Sequence, residues 1–439
     1  MTKLLTALMA FGISAAGPAF GQTIFIHGAD VYPVTGPMLK DASILVQDGK
    51  IADIGVKLIA PKGVKVIEAK GLRIYPGMID SATRLGLQEI TEVRETDDTA
   101  EIGEFVPQVR VLSSVNPESE HFRVARVNGI TTVMTFPGSA GQQLISGQAA
   151  MIHTDGWTWE TMAVKGQAGM LVPFPTMGGR GGRGGGGGGG AADDGSATNG
   201  YAAQLKTYQD QIKKLGDFLE EARHYQKAKE VLAGKPGFKP DLRFDAMLPV
   251  LDGREPLTVT AGRERSITDA IKFAEEQKVK LVIMHPREIG KAAAELKAKN
   301  IPIIFGRVLE LPEAEDDAYD QEFTLPLEAY KAGIKFAFGT FEENEFVRNL
   351  PYQAATAVAY GLPYDEALKA VTINPAEIWG VADKVGSIEK GKIADLLVTD
   401  GDPLEIQTHI VHLIISGKEV DLSNHQTELY QKYLARPNQ

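Results

Sequence analysis

The chain has 439 residues, 46 basic against 57 acidic, a formal net charge of −11 and no cysteine. Such a length buries a large core and leaves room for more than one structural unit. The acidic balance excludes nucleic acid as the main partner, because phosphate binding needs a positive surface, and sets the chain against an anionic membrane surface. Without cysteine there is no disulfide, thiolate nucleophile or thiolate zinc site.

At the amino end Lys3 precedes an apolar stretch from Leu4 to Ala16, and Ala19-Phe20-Gly21 follows as a small-x-small pattern. That order of parts predicts a signal peptide over 1–21, cleavage before Gln22, and an exported product, periplasmic or secreted. The stretch is too short for the roughly 30 Å of a bilayer core. No later segment reaches about 18 consecutive apolar residues, so no permanent membrane anchor is expected.

From Thr23 to Ile74 the pattern is short strands and turns: Thr23–Ile26, Ala42–Val46, Lys50–Ile54 after an Asp48-Gly49 turn, Val64–Ile67 and Leu72–Ile74. After Pro76 the rhythm becomes strand, loop, helix. Strands are expected at Ile130–Phe136, Lys280–His285, Ile301–Gly306 and Ile334–Gly339. Helices are expected from Ser266 to Gln277, Arg287 to Asn300, Pro351 to Tyr360 and Tyr364 to Val371. Alternating units over so long a stretch point to an α/β fold, a (β/α)8 TIM-like barrel, or to an open doubly wound sheet. Residues 177–200, almost all glycine and small polar groups, cannot bury enough to order themselves and read as a disordered insert. They lack the Lys-Ser/Thr ending of a phosphate loop. Strand character returns at Ala394–Val398 and Ile410–Ile415, and Gln426–Leu434 reads as a short helix. The division is therefore 22–75 and 385–425 as a small β-sandwich built from both ends, 76–384 as the barrel, and 426–439 as a tail.

Three stretches resemble the amidohydrolase superfamily, in particular its imidazolonepropionase-like and related exported members: Gly71-Leu72-Arg73-Ile74-Tyr75-Pro76-Gly77-Met78-Ile79-Asp80, then Thr372-Ile373-Asn374-Pro375-Ala376 with Gly380, then Gly386 to Leu396. The resemblance implies a hydrolase acting on carbon–nitrogen bonds other than peptide bonds (amides, cyclic amides) or on small peptides. It also implies a divalent metal of the zinc type, held by imidazoles and a carboxylate at the carboxyl ends of the barrel strands. On that reading the two imidazoles of strand 1 fall on Ser81 and Thr83, and the strand 5 imidazole falls on Thr260. The strand 8 aspartate, which binds metal and serves as base, falls on Phe341. His285 is the remnant ligand of strand 6, and Lys165 is the candidate for strand 4.

Hydroxyls are poor partners for zinc-type ions, and a phenyl ring can neither bind metal nor accept a proton. A single imidazole falls short of the three protein ligands such centres use. The sequence thus predicts a depleted site, with at most a weakly bound divalent ion. Glu89 and Glu342, near expected strand ends, could join His285 in a relocated carboxylate site, whereas an acidic run such as Asp97, Asp98, Glu101 and Glu104 is more often a solvated face. Ser139 and Ser146 lack the spacing of a nucleophile elbow. Two functions stay open: a hydrolase with a reduced or rearranged centre, or a non-catalytic relative that binds a ligand or serves as partner subunit to an active homologue. Either could form a homo-oligomer.

Overall fold

The computed structural model describes residues 23–138, 143–177, 197–312, 317–341 and 344–436. The expected signal peptide therefore lies outside the described residues, as do Glu342, Ser139 and most of the glycine-rich segment.

In chain order the strands are β1 (Ile24–Val31), β2 (Leu39–Gln47), β3 (Lys50–Gly55), β4 (Lys65–Glu68) and β5 (Arg73–Pro76), then β6 (Met78–Thr83), β7 (Ile130–Thr135), β8 (Gly147–His153) and β9 (Ala163–Val172). There follow β10 (Leu257–Thr260), β11 (Leu281–Met284), β12 (Ile303–Phe305) and β13 (Phe336–Phe338), and finally β14 (Leu396–Thr399), β15 (Ile410–Ile415) and β16 (Lys418–Val420). The first sheet runs β16-β15-β14-β5-β1-β2-β3, with β4 paired to β1, so both ends of the chain build it. The seam is the antiparallel pairing of β5 with β14, where Tyr75 faces Leu397 and Ile74 faces Val398.

The second sheet runs β13-β12-β11-β10-β9-β8-β7-β6. A parallel bridge between Thr83 and Phe341 joins its two edges, and the Phe341 N–H donates to the Ala82 carbonyl at 2.6 Å. This is the expected barrel, with one difference. Strand β8 runs antiparallel to both β7 and β9, while every other pairing is parallel. The links 136–146 and 154–162 are too short for the crossover of about a dozen residues or more that a parallel neighbour needs. The chain therefore turns back instead.

Alternate residues of the strands separate into two cores. Val133, Ile283, Ile303 and Phe336 pack outward against the helices, while Met134, Met284, Ile304 and Ala337 fill the interior. Ile373, Ala376 and Trp379, from the segment after β13, join the interior cluster. The helix expected over Arg287–Asn300 is confined to Ala292–Ala298. A helix of 36 residues, Ala197–Leu232, starts inside the segment read as a low-complexity insert, so the helical chain begins before residue 200.

Candidate active site at the barrel mouth

The carboxyl ends of the barrel strands define the mouth, where such barrels place their chemistry. Strand β6 enters it through an irregularity. Its pairing with β7 shifts register between Met78 and Ile79 and again between Asp80 and Thr83. Ile79 and Ala82, three residues apart, both lie in the interior cluster, while Met78 and Leu85 lie in the outer one. The inward pair at the end of this strand is therefore Ala82 and Arg84. Ser81 and Thr83 do not form it, which corrects the expectation from simple alternation: a bulge changes the phase of every side chain beyond it. Thr83 turns its hydroxyl to accept from the Leu85 N–H at 3.3 Å, and Ser81 is fully buried with its hydroxyl unpartnered. The Arg84 guanidinium passes Gly138, where an added Cβ would sit 3.5 Å from its Nη2.

On β10, Leu257 and Val259 face the outer core, which leaves Thr260 on the inner side, exposed to the mouth. His285 follows β11 with a left-handed backbone (φ 56°), and Phe341 follows β13 likewise (φ 59°). Their rings meet edge to face with centroids 5.0 Å apart. A Cβ at Gly306 would lie 2.8 Å from the imidazole, so the ring can lie over the end of β12 only because that residue is glycine. Sequence reasoning thus places Thr260, His285 and Phe341 at one end of the barrel, and the structure brings them there with Arg84.

The loops beyond β10, β11 and β12 each add an arginine. Arg263 pairs with Glu288 at 2.5 Å, Arg287 with Glu310 at 2.9 Å and Glu322 at 3.2 Å, and Arg307 with Glu310 at 2.9 Å. Acids match bases around this rim.

Lys165 belongs elsewhere. It sits near the start of β9, donates to the Trp379 carbonyl at 3.0 Å and shares a cavity with Lys280 and Pro302, at the amino ends of the strands. It is therefore not a mouth residue. Burial pulls its ammonium below the ordinary lysine range. Glu89 accepts from the Asn116 side chain at 3.1 Å, while its carbonyl meets His121 Nε2 at 2.8 Å, so it is bound up with the loop that precedes helix Glu120–Arg126. Among the described residues no three His, Asp or Glu side chains gather closely enough to hold a metal ion. Among the described residues the donor set at the mouth, a methyl, a guanidinium, a hydroxyl, one imidazole and a phenyl, does not fit the family's metal: its cation would meet a cation at Arg84 and an apolar ring at Phe341.

Sequence reasoning missed Asp80. This fully buried carboxylate accepts from the Thr340 hydroxyl at 2.5 Å, the Thr340 N–H at 3.1 Å and the Ala82 N–H at 3.0 Å, tying β6 to the chain just after β13. Burial pushes it up to about 7. The signal was present, since an aspartate inside a run as apolar as Met78-Ile79 must find partners from a neighbouring strand.

Comparisons with known proteins agree with this architecture. The amidohydrolase family profile matches residues 201–420. The chain is similar to the amidohydrolase tasK of Hapsidospora irregularis, 22% identical over 90% of this chain and 43% of that protein. It is also similar to the imidazolonepropionase of Sphingopyxis alaskensis, 45% identical over 51 residues, 11% of this chain and 13% of that one. The chain spans less than half the length of these curated relatives. Among solved structures it resembles an amidohydrolase from Thermotoga maritima with a TM-score of 0.77 and 28% identity, over 91% of this chain and 99% of that one. Half of the sequence matched by the profile, together with the barrel, its closure and the two-ended sheet, makes this chain a member of the amidohydrolase family.

Proposed function

We propose that the barrel mouth binds a small molecule bearing an amide or cyclic amide, and that any cleavage of its carbon–nitrogen bond there proceeds without the family's metal centre. The observation that carries this is the replacement of metal donors by Arg84, Thr260 and His285 around one opening. A guanidinium supplies fixed positive charge and planar donors for a carbonyl or carboxylate oxygen. His285 brings an imidazole, a group able both to accept and to donate a proton, and so is the candidate to relay one. The names of the relatives favour a hydrolase. Phe341 favours a second reading, a binding protein or partner subunit, because a phenyl ring stands where the family's base belongs and dries the mouth.

Elemental analysis of dialysed protein, paired with hydrolysis assays on an amide and cyclic-amide panel with and without chelator, tests both readings. Less than one metal per chain is expected, with any activity unaffected by chelator and lowered by Arg84→Gln. One or two tightly held transition metals per chain would overturn the proposal. Loss of a measured activity to chelator would overturn it equally. Absence of turnover with retained ligand binding selects the second reading.

A further inference from the structure

At the end of the barrel opposite the mouth, a cavity of about 1000 Å³ opens between the starts of β10 to β13 and the segments 264–276, 292–298 and 373–380. Its size is that of a small-molecule site. Its walls are basic in a chain whose net charge is −11. Arg254, Lys299 and Lys335 on this wall are already paired, with Asp252, with Glu275 and Glu295, and with Glu377. Lys278, Lys280 and Lys297 line the same cavity and are exposed, with no ion pair among the described residues. Lys165, half-buried, adds a fourth ammonium, which donates to the Trp379 main-chain carbonyl and interacts with the carboxylate of Glu255, a residue that does not line the cavity. Of the three acids lining the cavity, Glu275 and Glu377 are taken by the lysines just named, and Glu366 by Lys369 outside it. Pro256, Pro302, Ile378 and Trp379 add apolar surface, and Asn300 and Asn374 add amides.

Several like charges are costly to hold together unless something negative sits among them. Here the carboxylates that line the cavity are already engaged, and the ammonium groups of Lys278, Lys280 and Lys297 line a half-open, partly apolar space beside that of Lys165. From this geometry we infer a binding site for a small polyanion, a molecule carrying phosphate or several carboxylates on a compact apolar body. The site stands apart from the mouth, at the end of the barrel that contributes stability and not chemistry in this architecture. Its ligand is accordingly an effector or a stabiliser, and the proposal does not depend on what the mouth does.

Calorimetric titration of the full chain with pyrophosphate, and separately with citrate, at fixed ionic strength tests it. Saturable binding of one anion per chain is expected. Affinity should fall about tenfold or more in Lys280→Glu/Lys297→Glu, as two attractions become repulsions, and stay unchanged in Arg84→Gln at the mouth. The milder Lys278→Ala/Lys280→Ala, at exposed positions, should weaken binding in the same direction should the charge-reversed chain fail to fold. Binding of pyrophosphate alone assigns the site to phosphate, and binding of both assigns it to polyanions generally. No saturable binding overturns the inference, as does equal affinity in the lysine variants or loss of binding in Arg84→Gln.

Discussion

Asp80 carries a contradiction in one side chain: a carboxylate with three donors around it and no solvent at all. The donors favour the charged form and burial the neutral one, and burial prevails, raising the group from 3.8 to about 7. Below about pH 4 the group is protonated in both folded and unfolded chains and contributes no pH dependence. Between about 4 and 7 the unfolded chain sheds the proton more readily, so stability falls with rising pH by a few kcal/mol and then levels off. Asp80→Asn keeps an acceptor for the two N–H groups and offers a donor to Thr340. Its melting temperature should match the wild type near pH 4.5 and exceed it at pH 8; a variant less stable at pH 8 would show that the charged carboxylate is what the fold uses. Nearby, His285 and Phe341 hold left-handed backbones that cost on the order of 1 kcal/mol each. Their mutual ring contact gives a reason for holding both.

The long helix Ala197–Leu232 is the element least anticipated and one of the most consequential for the mouth. Leu215, Phe218, Leu219 and Ala222 bury one face of it. Phe218 stacks on Phe105, centroids 4.5 Å apart and planes 4° from parallel, and meets Phe244 at 5.3 Å. Phe105 itself bridges to Ile145, and Lys214 reaches Glu104 at 2.9 Å, so the helix clasps the loop that follows β6. Phe218→Ala should cost about 3 to 5 kcal/mol in denaturant unfolding, whereas the exposed pair removed by Lys214→Ala should cost under about 1. Equal costs would mean that the aromatic stack does not hold the loop. The helix was hidden because polar and charged residues cover most of it and glycines run up to its start. Strands β8 and β9 were hidden for the opposite reason. All seven residues of β8, including small Gly147, Ala149 and Ala150, are buried, so no alternation marks it. Strands with one wet face, such as β2 and β3, were legible from their pattern. The chemistry of the mouth was legible as residue types at Thr260, His285 and Phe341, whereas the inward pair of β6 was not, since a bulge leaves no trace in composition.

Across the whole molecule, the reversed strand has a mechanical consequence. Because β8 runs against its neighbours, its last residue, His153, pairs with Thr132 near the start of β7, at the end of the barrel facing the other sheet. There His153 Nε2 lies 3.0 Å from Asp395 Oδ2, while Asp395 Oδ1 accepts the Ser416 N–H at 2.8 Å and its carbonyl accepts the Gly77 N–H at 2.8 Å. Ser416 Oγ is 3.2 Å from the other ring nitrogen. An Asp-His-Ser contact invites a nucleophile reading, but the Ser416 and Gly417 N–H groups are already given to Asp395 and to the Ala394 carbonyl, which leaves neither for an oxyanion. The cluster is instead a buried bolt between barrel and sheet. Burial works to lower the His153 pKa, but Asp395, with a smaller push from Asp155, outweighs it and holds the imidazole above its ordinary value. The bolt is therefore at full strength below about pH 6.5 and is lost as pH rises through the elevated folded value. In an Asp80→Asn background, which removes the fall at lower pH, the melting temperature should stay level up to about pH 6.5 and drop above it. Adding His153→Gln should abolish that drop. His153→Ala, which strands the Asp395 charge, should cost about 3 kcal/mol or more at pH 6. A drop above about pH 6.5 that survives His153→Gln would place the titrating group elsewhere and leave the bolt a neutral hydrogen bond.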